Sequence, residues 1–340
     1  MYKSILQTKH WATLKSKYGQ KVHWLSDVLV LEHSLPLGGT FLYIPEVDQV
    51  QVHDMDMAKL DELARSRKAA FVRIEIVNPI TERQSYLDKS LEGFDKAFED
   101  VQPEHRRIID LRQSEAKILE QMKPKGRYNI KVAVKHNVKV VNHKVVTGAH
   151  RVSNIGHEMA FWGNSENHKS KSITNAYNTQ KSPVDIFYDL YSETVAREKI
   201  TGRSLDYFHD LADILGADDL VRVFIAKVDD VPVAGAVITF YDGVASYLYG
   251  GSSRERREVM APYALHWGIM MFAKRNGFRS YDLLGVAPEG AGEEHKWSGV
   301  TRFKENFGGQ SVAVIGSYDK IYRPIYYRAY KRAAQIRRKR

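Results

Sequence analysis

The segment from Ala245 to Gly309 decides the fold of this chain of 340 residues. It begins with A-S-Y-L-Y-G-G-S (Ala245–Ser252), in which the period-two alternation of apolar and aromatic residues predicts a β-strand at Ala245–Gly250. A helix is predicted next, because Pro262 suits its first turn and Gly277 suits the residue after its end. Ser280–Leu284 predicts a second strand. Strand, crossing helix and strand form a β-α-β unit.

Any site in this unit is expected where its two strands end, near Gly250 and Gly285, facing a loop at Phe303–Gly309. Two further strands, Arg222–Val228 and Val231–Phe240, precede the segment and predict an antiparallel meander. Meander, helix and strand follow one another in the core order of the GNAT-type acyltransferase fold.

The first half of the chain repeats the pattern in weaker form. Thr40–Ile44 predicts a strand, Met57–Arg67 a helix and Ala70–Ile76 a second strand, so the chain contains two copies of one α/β unit. Val22–Glu32 is predicted as one strand before them. The sequence therefore predicts an α/β (α+β) fold of two tandem GNAT-like domains with a cleft between them.

Composition excludes several classes of protein. No stretch approaches the roughly 20 apolar residues of a membrane span, and Met1–Trp11 lacks the apolar core of a signal peptide, so we expect a cytoplasmic location. The chain has no cysteine, which rules out disulfides and thiol nucleophiles. Its 13 histidines show no metal-binding spacing, so we expect no metal site.

The net charge of +10 is unevenly distributed. Residues 1–122 carry a net charge of −2 and residues 123–340 a net charge of +12. Lys123–Lys144 and Arg328–Arg340 each hold seven basic residues and no acidic one. Such runs indicate polyanionic partners such as RNA, phosphorylated substrates or the anionic inner face of a membrane. A solvated helix face is the alternative interpretation, above all for the C-terminal run.

The turn before the helix that starts near Pro262 does not match the pattern that binds coenzyme A in this fold. Acetyltransferases of this fold use a turn of the type (Q/R)-x-x-G-x-(G/A), whose glycines let backbone N–H groups approach a pyrophosphate. The equivalent turn here is Arg256–Ala261, where Val259 replaces the glycine, and Pro262 has no N–H to donate. The sequence predicts the fold without its usual cofactor.

Motifs across nearly the whole chain carry a resemblance to a known family. They are L-P-L-G-G-T-F-L-Y-I-P (Leu35–Pro45), V-R-I-E (Val72–Glu75), I-I-D-L-R-Q-S-E (Ile108–Glu115), K-G-R-Y-N-I-K-V-A (Lys125–Ala133), R-S-L-D-Y-F (Arg203–Phe208), Y-L-Y-G-G-S-S (Tyr247–Ser253), Y-D-L-L-G (Tyr281–Gly285) and R-F-K-E-N-F-G-G (Arg302–Gly309). In number and order they resemble the FemABX family of aminoacyl-tRNA-dependent transferases that act on the peptidoglycan stem peptide. No long helical hairpin is inserted, so the chain resembles the compact branch.

This resemblance implies an organisation and a reaction. It implies domain 1 at residues 1–137, completed by residues 316–340, and domain 2 at residues 138–315. The implied partners are aminoacyl-tRNA as co-substrate and an acceptor that is either UDP-MurNAc-pentapeptide or lipid II. No other cofactor and no stable protein partner are expected. The basic C-terminus is expected to contact an anionic membrane or tRNA.

The resemblance also assigns site residues. Lys304 matches the residue credited with charge stabilisation; a surface lysine is the alternative. Lys15 and Arg203 match residues that hold the nucleotide diphosphate–sugar of the precursor; an ordinary solvated charge is the alternative for each. Glu75 matches a candidate general base, with Arg73 beside it as a substrate contact; the alternatives are a structural pair of Arg73 and Glu75 or a carboxylate at the edge of the core.

Strand alternation adds Tyr247 and Tyr249, which we expect to line the peptide channel, with burial in the core as the alternative. Asp282 is expected to be structural, and Ser317 stands where some relatives carry an acidic residue.

Three functions are compatible with these patterns. The first is a tRNA-dependent aminoacyltransferase of cell-wall bridge formation. The second is a GNAT-type N-acyltransferase that uses coenzyme A or another donor. The third is a non-catalytic protein that binds RNA or a membrane through the two basic runs.

Overall fold

The structure is a computed structural model that describes residues 3–35, 39–145, 156–159, 172–173 and 181–339. The chain forms two compact units: unit 1 comprises Met1–Arg106 with Val312–Arg340, and unit 2 comprises Arg107–Ser311. The segment Gly163–Ser182 is polar and lacks periodicity, which predicts a loop, but it lies outside the described residues except at 172–173 and 181–182.

The described residues contain fourteen strands, numbered in chain order: β1 (Lys21–Leu25), β2 (Val28–Ser34), β3 (Thr40–Val47), β4 (Ala69–Pro79), β5 (Asp95–Lys96), β6 (His105–Asp110), β7 (Lys139–Lys144), β8 (Gly156–Met159), β9 (Ser172–Ile173), β10 (Val221–Val228), β11 (Val231–Tyr241), β12 (Val244–Ser252), β13 (Ser280–Gly285) and β14 (Gln310–Ile321).

The same residues contain eleven α-helices: α1 (Lys9–Lys17), α2 (Gln49–Asp54), α3 (Met57–Ser66), α4 (Tyr86–Ser90), α5 (Glu115–Gln121), α6 (Pro124–Lys135), α7 (Pro183–Glu198), α8 (Leu205–Gly216), α9 (Ala261–Arg275), α10 (Ser298–Glu305) and α11 (Pro324–Lys339). None of them has the length and the apolar composition needed to cross a bilayer, as far as the described residues extend.

Unit 1 is built on the strand order β1-β2-β3-β4-β14. β1, β2 and β3 are antiparallel neighbours, and β3 and β4 run parallel because α2 and α3 carry the chain back between them. β14 pairs antiparallel with β4, so that Ser317 lies opposite Glu75 and Asp319 opposite Arg73. Leu60 of α3 packs against the strand residues of this core.

Unit 2 contains the predicted meander of β10, β11 and β12. Asp229 and Asp230 both have positive φ, which is the backbone of a two-residue hairpin turn. α9 then crosses to β13, which pairs parallel with β12 over three residues. α9 packs into the core on one face of this sheet, and α7 packs on the other, where Phe187 and Leu190 approach Gly235.

Antiparallel strands, a crossing helix and a parallel strand therefore occur in both units. The fold is mixed α/β with two tandem GNAT-like units, as the sequence predicted, and the internal repeat is confirmed by the parallel pairs β3–β4 and β12–β13.

Three sequence predictions were wrong in detail. Val22–Glu32 is a hairpin of β1 and β2 rather than one strand, because Ser26 adopts a positive φ of 55° and turns the chain. The apolar spacing at Lys125–Lys135 predicts a continuation of the helix that begins at Ser114–Met122, but Pro124 begins a separate helix, α6. Phe303–Gly309 is not entirely a loop, since its first three residues complete α10.

The compact units do not begin and end at the predicted domain boundaries. Residues 107–137, which were assigned to domain 1, lie within unit 2. The C-terminal segment lies with unit 1 from Val312 onwards, four residues before the predicted start at 316.

Candidate active site

Lys304 lies in the last turn of α10 and is 6% exposed. Its ammonium Nζ donates a hydrogen bond of 2.6 Å to the carbonyl oxygen of Gly285, the last residue of β13. The candidate catalytic lysine therefore lies at the strand end where the sequence placed a site, although on a helix and not in the expected loop.

The backbone beside this lysine is unusual. Leu284 has a φ of +56°, a conformation that is costly for a branched side chain. The carboxylate of Asp282 accepts a 2.7 Å hydrogen bond from the N–H of Leu284 and so holds the turn in place. Because the parallel pairing with β12 reaches only to Asp282, the carbonyl of Gly285 lies outside that ladder and accepts the lysine instead. Asp282 is structural here, as expected.

Burial controls the protonation of this region. Desolvation lowers the pKa of Lys304 to about 8, against the opposing attraction of Asp282. Desolvation also lowers the pKa of the buried His266 to about 3, with the charge of Lys304 acting in the same direction. His266 is therefore neutral near pH 7, and its Nδ1 forms a 2.8 Å hydrogen bond with the hydroxyl of Tyr281. Lys304 can hold or release a proton near physiological pH, which suits a group that stabilises charge.

Tyr247 lies in the same region. Its ring is 4.7 Å from that of His266, and desolvation raises its pKa to about 12. A Cβ on Gly250 would lie 1.6 Å from the Tyr247 hydroxyl, so only glycine allows this packing. The structure thus groups Tyr247 with Lys304 around His266.

Tyr249 lies on the opposite face of the sheet, contrary to the period-two alternation expected from the sequence. Tyr247 pairs with Ile238, but Tyr249 pairs with the adjacent Val237, so Leu248 is the extra residue of a β-bulge. A bulge shifts the following side chains to the other face. The expectation that both tyrosines line one channel was wrong for this reason.

The bulge brings Tyr249 to Arg203. Its hydroxyl is 3.3 Å from that of Tyr207, and the guanidinium of Arg203 lies 5.1 Å from the Tyr207 ring. Burial alone would lower the pKa of Arg203. The nearby tyrosine hydroxyls, above all that of Tyr249, have the larger effect and raise it above its usual value. Tyr191 and Phe208 complete this aromatic cluster. Sequence reasoning missed Tyr191 and Tyr207, although both follow the helical spacing of buried residues in α7 and α8.

An open cavity of about 570 Å³ lies in unit 2 beyond the end of β13. Its lining includes the segment from Val286 to Glu293 and the side chains of Arg107, Arg302 and Glu305. The Arg107 Nε donates a 2.6 Å hydrogen bond to the carbonyl of Gly308. Sequence reasoning did not identify Arg107, which no motif marks as functional.

In unit 1, Lys15 lies on α1 with its Nζ 4.5 Å from the centre of the Trp11 ring. Burial lowers the pKa of the nearby His33 to about 4, and the charge of Lys15 adds to this effect. Lys15 is half-buried, so part of its side chain remains accessible for the predicted precursor contact.

Arg73 is fully buried and forms two hydrogen bonds of 2.7 Å with the carboxylate of Asp319 on β14. Glu99 lies 3.8 Å away, and the Tyr327 hydroxyl donates to the same Asp319. Arg73 therefore joins β4 to β14, and its predicted contact with substrate would require these ion pairs to open.

Glu75 is 4% exposed, and burial raises its pKa to about 7. Its carboxylate accepts hydrogen bonds from the Tyr43 hydroxyl, from the Ser317 hydroxyl at 3.1 Å, and from two backbone N–H groups at Val101 and Gln102. Arg73 and Glu75 do not form the structural pair that was the alternative interpretation, because Asp319 is the partner of Arg73. A pKa of about 7 allows Glu75 to exchange a proton near neutral pH, although four hydrogen-bond donors of the protein surround its carboxylate.

The turn Arg256–Ala261 contains two residues with positive φ, Arg256 and Met260, and Val259 is buried in the core. This is a packed turn rather than an open glycine cradle. The described residues contain no group of three or more His, Asp or Glu side chains that could hold a metal ion.

The chain belongs to the FemAB family, whose sequence profile matches residues 85–230 and 222–335. This match confirms the resemblance drawn from the motifs. The crystal structure of FemX superposes with a TM-score of 0.75 over 96% of this chain and 94% of that one, at 17% identity, and so shows the same fold.

Two curated relatives are similar over part of their length. Aminoacyltransferase FemB of Staphylococcus epidermidis is 24% identical over an alignment of 221 positions that covers 47% of this chain and 52% of that protein. Lipid II:glycine glycyltransferase of Staphylococcus haemolyticus is 26% identical over 110 residues, 32% of this chain and 26% of that protein. The match therefore spans about half of FemB and less of the second relative.

Proposed function

We propose that this protein is an aminoacyltransferase that moves an amino acid from aminoacyl-tRNA to the stem-peptide amine of a peptidoglycan precursor. Membership of the FemAB family supports the class of reaction, because relatives are named aminoacyltransferase and lipid II:glycine glycyltransferase. The observation that carries the proposal is the buried ammonium of Lys304 at the end of β13.

The reaction needs little beyond positioning and charge stabilisation. The acceptor nitrogen attacks the ester carbonyl carbon, a C–N bond forms, and the C–O bond to the tRNA breaks. One proton leaves the nitrogen and the released tRNA hydroxyl takes one up. Negative charge develops on the carbonyl oxygen, and a preformed cation in a dry site stabilises it better than water does. Lys304 supplies that cation by exchanging its hydrogen bond to Gly285 for one to the oxyanion.

The proposal involves no cofactor besides the charged tRNA, because an ester is already activated. The packed turn at Arg256–Ala261, with Val259 buried, supports a donor other than coenzyme A. Arg203 with its tyrosine hydroxyls is suited to a phosphate of the precursor, and Lys15 of unit 1 is proposed as a second precursor contact. Glu75 stays a proposed general base. A charged tRNA and a precursor both place the reaction in the cytoplasm, at the membrane face if the acceptor is lipid II.

The test is to incubate the protein with a pool of charged tRNAs and either UDP-MurNAc-pentapeptide or lipid II, and to weigh the products by mass spectrometry. We expect a precursor heavier by one amino-acid residue, and no product with uncharged tRNA. Lys304→Met should abolish most of the product, whereas the exposed control Lys89→Met should not. Acyl transfer from acetyl-CoA without tRNA would contradict the proposal.

A further inference from the structure

Helix α6 of unit 2 has one exposed face with a distinct composition. Lys125, Tyr128, Lys131 and Lys135 follow one another at spacings of three, three and four residues and are all exposed. We call these four residues the α6 stripe. Ile130 and Ala133 on the other face are fully buried. The stripe is about 15 Å long at the rise of an α-helix, and no acidic residue occurs between Lys123 and Lys144.

Tyr128 is the residue that solubility alone does not explain. Its side chain is 66% exposed, more than any other tyrosine among the large hydrophobic side chains exposed in the described residues. An exposed aromatic ring between lysines provides a surface on which a base can stack while the lysines meet neighbouring phosphates.

Two contacts fasten this helix to the one that carries Lys304. A Cβ on Gly126 would lie 2.0 Å from the carbonyl oxygen of Asn306, so α6 and the end of α10 approach backbone to backbone. The ammonium of Lys123 also pairs with the carboxylate of Glu305, the residue that follows Lys304. The α6 stripe therefore has a fixed place relative to the candidate catalytic lysine.

We propose that the α6 stripe binds the single-stranded 3′ end of the donor tRNA, with Tyr128 stacked on a base and the three lysines on phosphates. This inference rests on the proposed function, because it is the ester at that 3′ end which Lys304 would meet. RNA is favoured over a membrane surface because the stripe presents one aromatic ring between charges, whereas membrane-binding helices carry a broad apolar face.

The test measures binding apart from catalysis. A labelled single-stranded RNA that ends in C-C-A is titrated with the protein at several salt concentrations. The variants are Tyr128→Ala, Tyr128→Phe and the triple change Lys125→Gln, Lys131→Gln, Lys135→Gln. The matched control removes three exposed lysines elsewhere: Lys9→Gln, Lys89→Gln, Lys199→Gln.

We expect Tyr128→Ala to weaken RNA binding roughly 5- to 100-fold, and Tyr128→Phe to bind like the wild type. The α6 triple variant should reduce the slope of log affinity against log salt by about 2, since each single-strand phosphate contact contributes roughly 0.7. Unchanged affinity in Tyr128→Ala, or an equal loss in the control, would overturn the inference. The inference would also be overturned if the α6 stripe variants lost binding to phosphatidylglycerol vesicles while their RNA binding was unaltered.

The transfer assay separates this inference from the proposed function. The α6 variants should raise the KM for charged tRNA and keep kcat, whereas Lys304→Met should lower kcat. Transfer by the wild type with an unaltered KM in the α6 variants would overturn only the inference. RNA binding that depends on the stripe, without transfer to any precursor, would overturn only the proposed function.

Discussion

Lys304 keeps an ammonium where water is largely excluded, and this placement has a measurable cost. Its pKa falls from 10.5 to about 8, so between these pH values the unfolded chain binds more protons than the folded one. Stability contributed by this residue therefore rises with pH across that window. The buried charge is a property of a site that acts on another charge rather than of a core chosen for stability.

This cost can be measured with Lys304→Met, which fills the space without a charge. Relative to the variant, the wild type should gain on the order of 3 kcal/mol in free energy of unfolding between pH 7.5 and 10.5. Urea denaturation of both proteins across the range would show it. A constant difference would mean that Lys304 is not desolvated in solution.

Glu75 should show the opposite dependence. Burial raises its pKa from 4.5 to about 7, so the folded state binds more protons between these values and stability falls as the pH rises through them. In the wild type the free energy of unfolding should decline by on the order of 3 kcal/mol between pH 4.5 and 7 because of Glu75, and Glu75→Gln should lack this decline. If thermal unfolding of the two proteins shifts in parallel over that range, Glu75 is ionised throughout.

At the scale of elements, the sequence predicted type and order better than register. Proline and glycine marked both ends of α9, and the turn dipeptides Asp229-Asp230 and Asp242-Gly243 marked the meander, because these residues act on the local backbone. The bulge at Leu248 has no such local signal. It depends on which residues of β11 pair with β12, and therefore two tyrosines that alternate in sequence lie on opposite faces.

The candidate site was also predicted only in part, because some of its contacts have no local signal in the sequence. The end of β13 followed from the β-α-β pattern, and the resemblance supplied Lys304. The carbonyl of Gly285 as its partner depends on the positive φ of Leu284, which a leucine does not predict. Arg73 was expected to face substrate, but its partner Asp319 lies 246 residues away in sequence, beyond the range of any local pattern.

The close approach of α6 and α10 yields a prediction at this scale. Gly126→Ala would place a methyl group against the backbone of Asn306 and should destabilise the protein by about 1–3 kcal/mol. Gly299→Ala is the matched control on α10, because its Cβ would meet open space. Chemical denaturation of both variants distinguishes them, and equal stability would show that α6 is not packed against α10 in solution.

At the scale of the whole molecule, charge is concentrated where polyanionic partners are proposed. The helix α11 places Ile325 and Ile336, 77% and 59% exposed, on the same side as Arg328 and Arg332. Tyr327 and Tyr330 anchor the other side through hydrogen bonds to Asp319 and Glu99. The expected membrane contact of the C-terminus would therefore use a helix attached to unit 1.

Removing the charge of Arg328 and Arg332 tests this contact. With about 1 kcal/mol for each basic residue near an anionic surface, Arg328→Gln with Arg332→Gln should weaken binding to anionic vesicles roughly 30-fold at low salt. Vesicle sedimentation measures the effect, with Lys9→Gln and Lys89→Gln as the control pair. If both double variants bind the vesicles equally, the basic residues of α11 serve solubility and do not contact the membrane.

The account as a whole depends on Lys304 acting as an ammonium on the ester carbonyl of charged tRNA. Single-turnover transfer rates of the wild type and of Lys304→Met, measured from pH 6.5 to 9.5, test this most directly. The account predicts a ratio of the two rates on the order of 100 to 1,000 below pH 8 that declines as the pH rises through about 8, the pKa of Lys304. A ratio near one, or a ratio that does not change with pH, would contradict it.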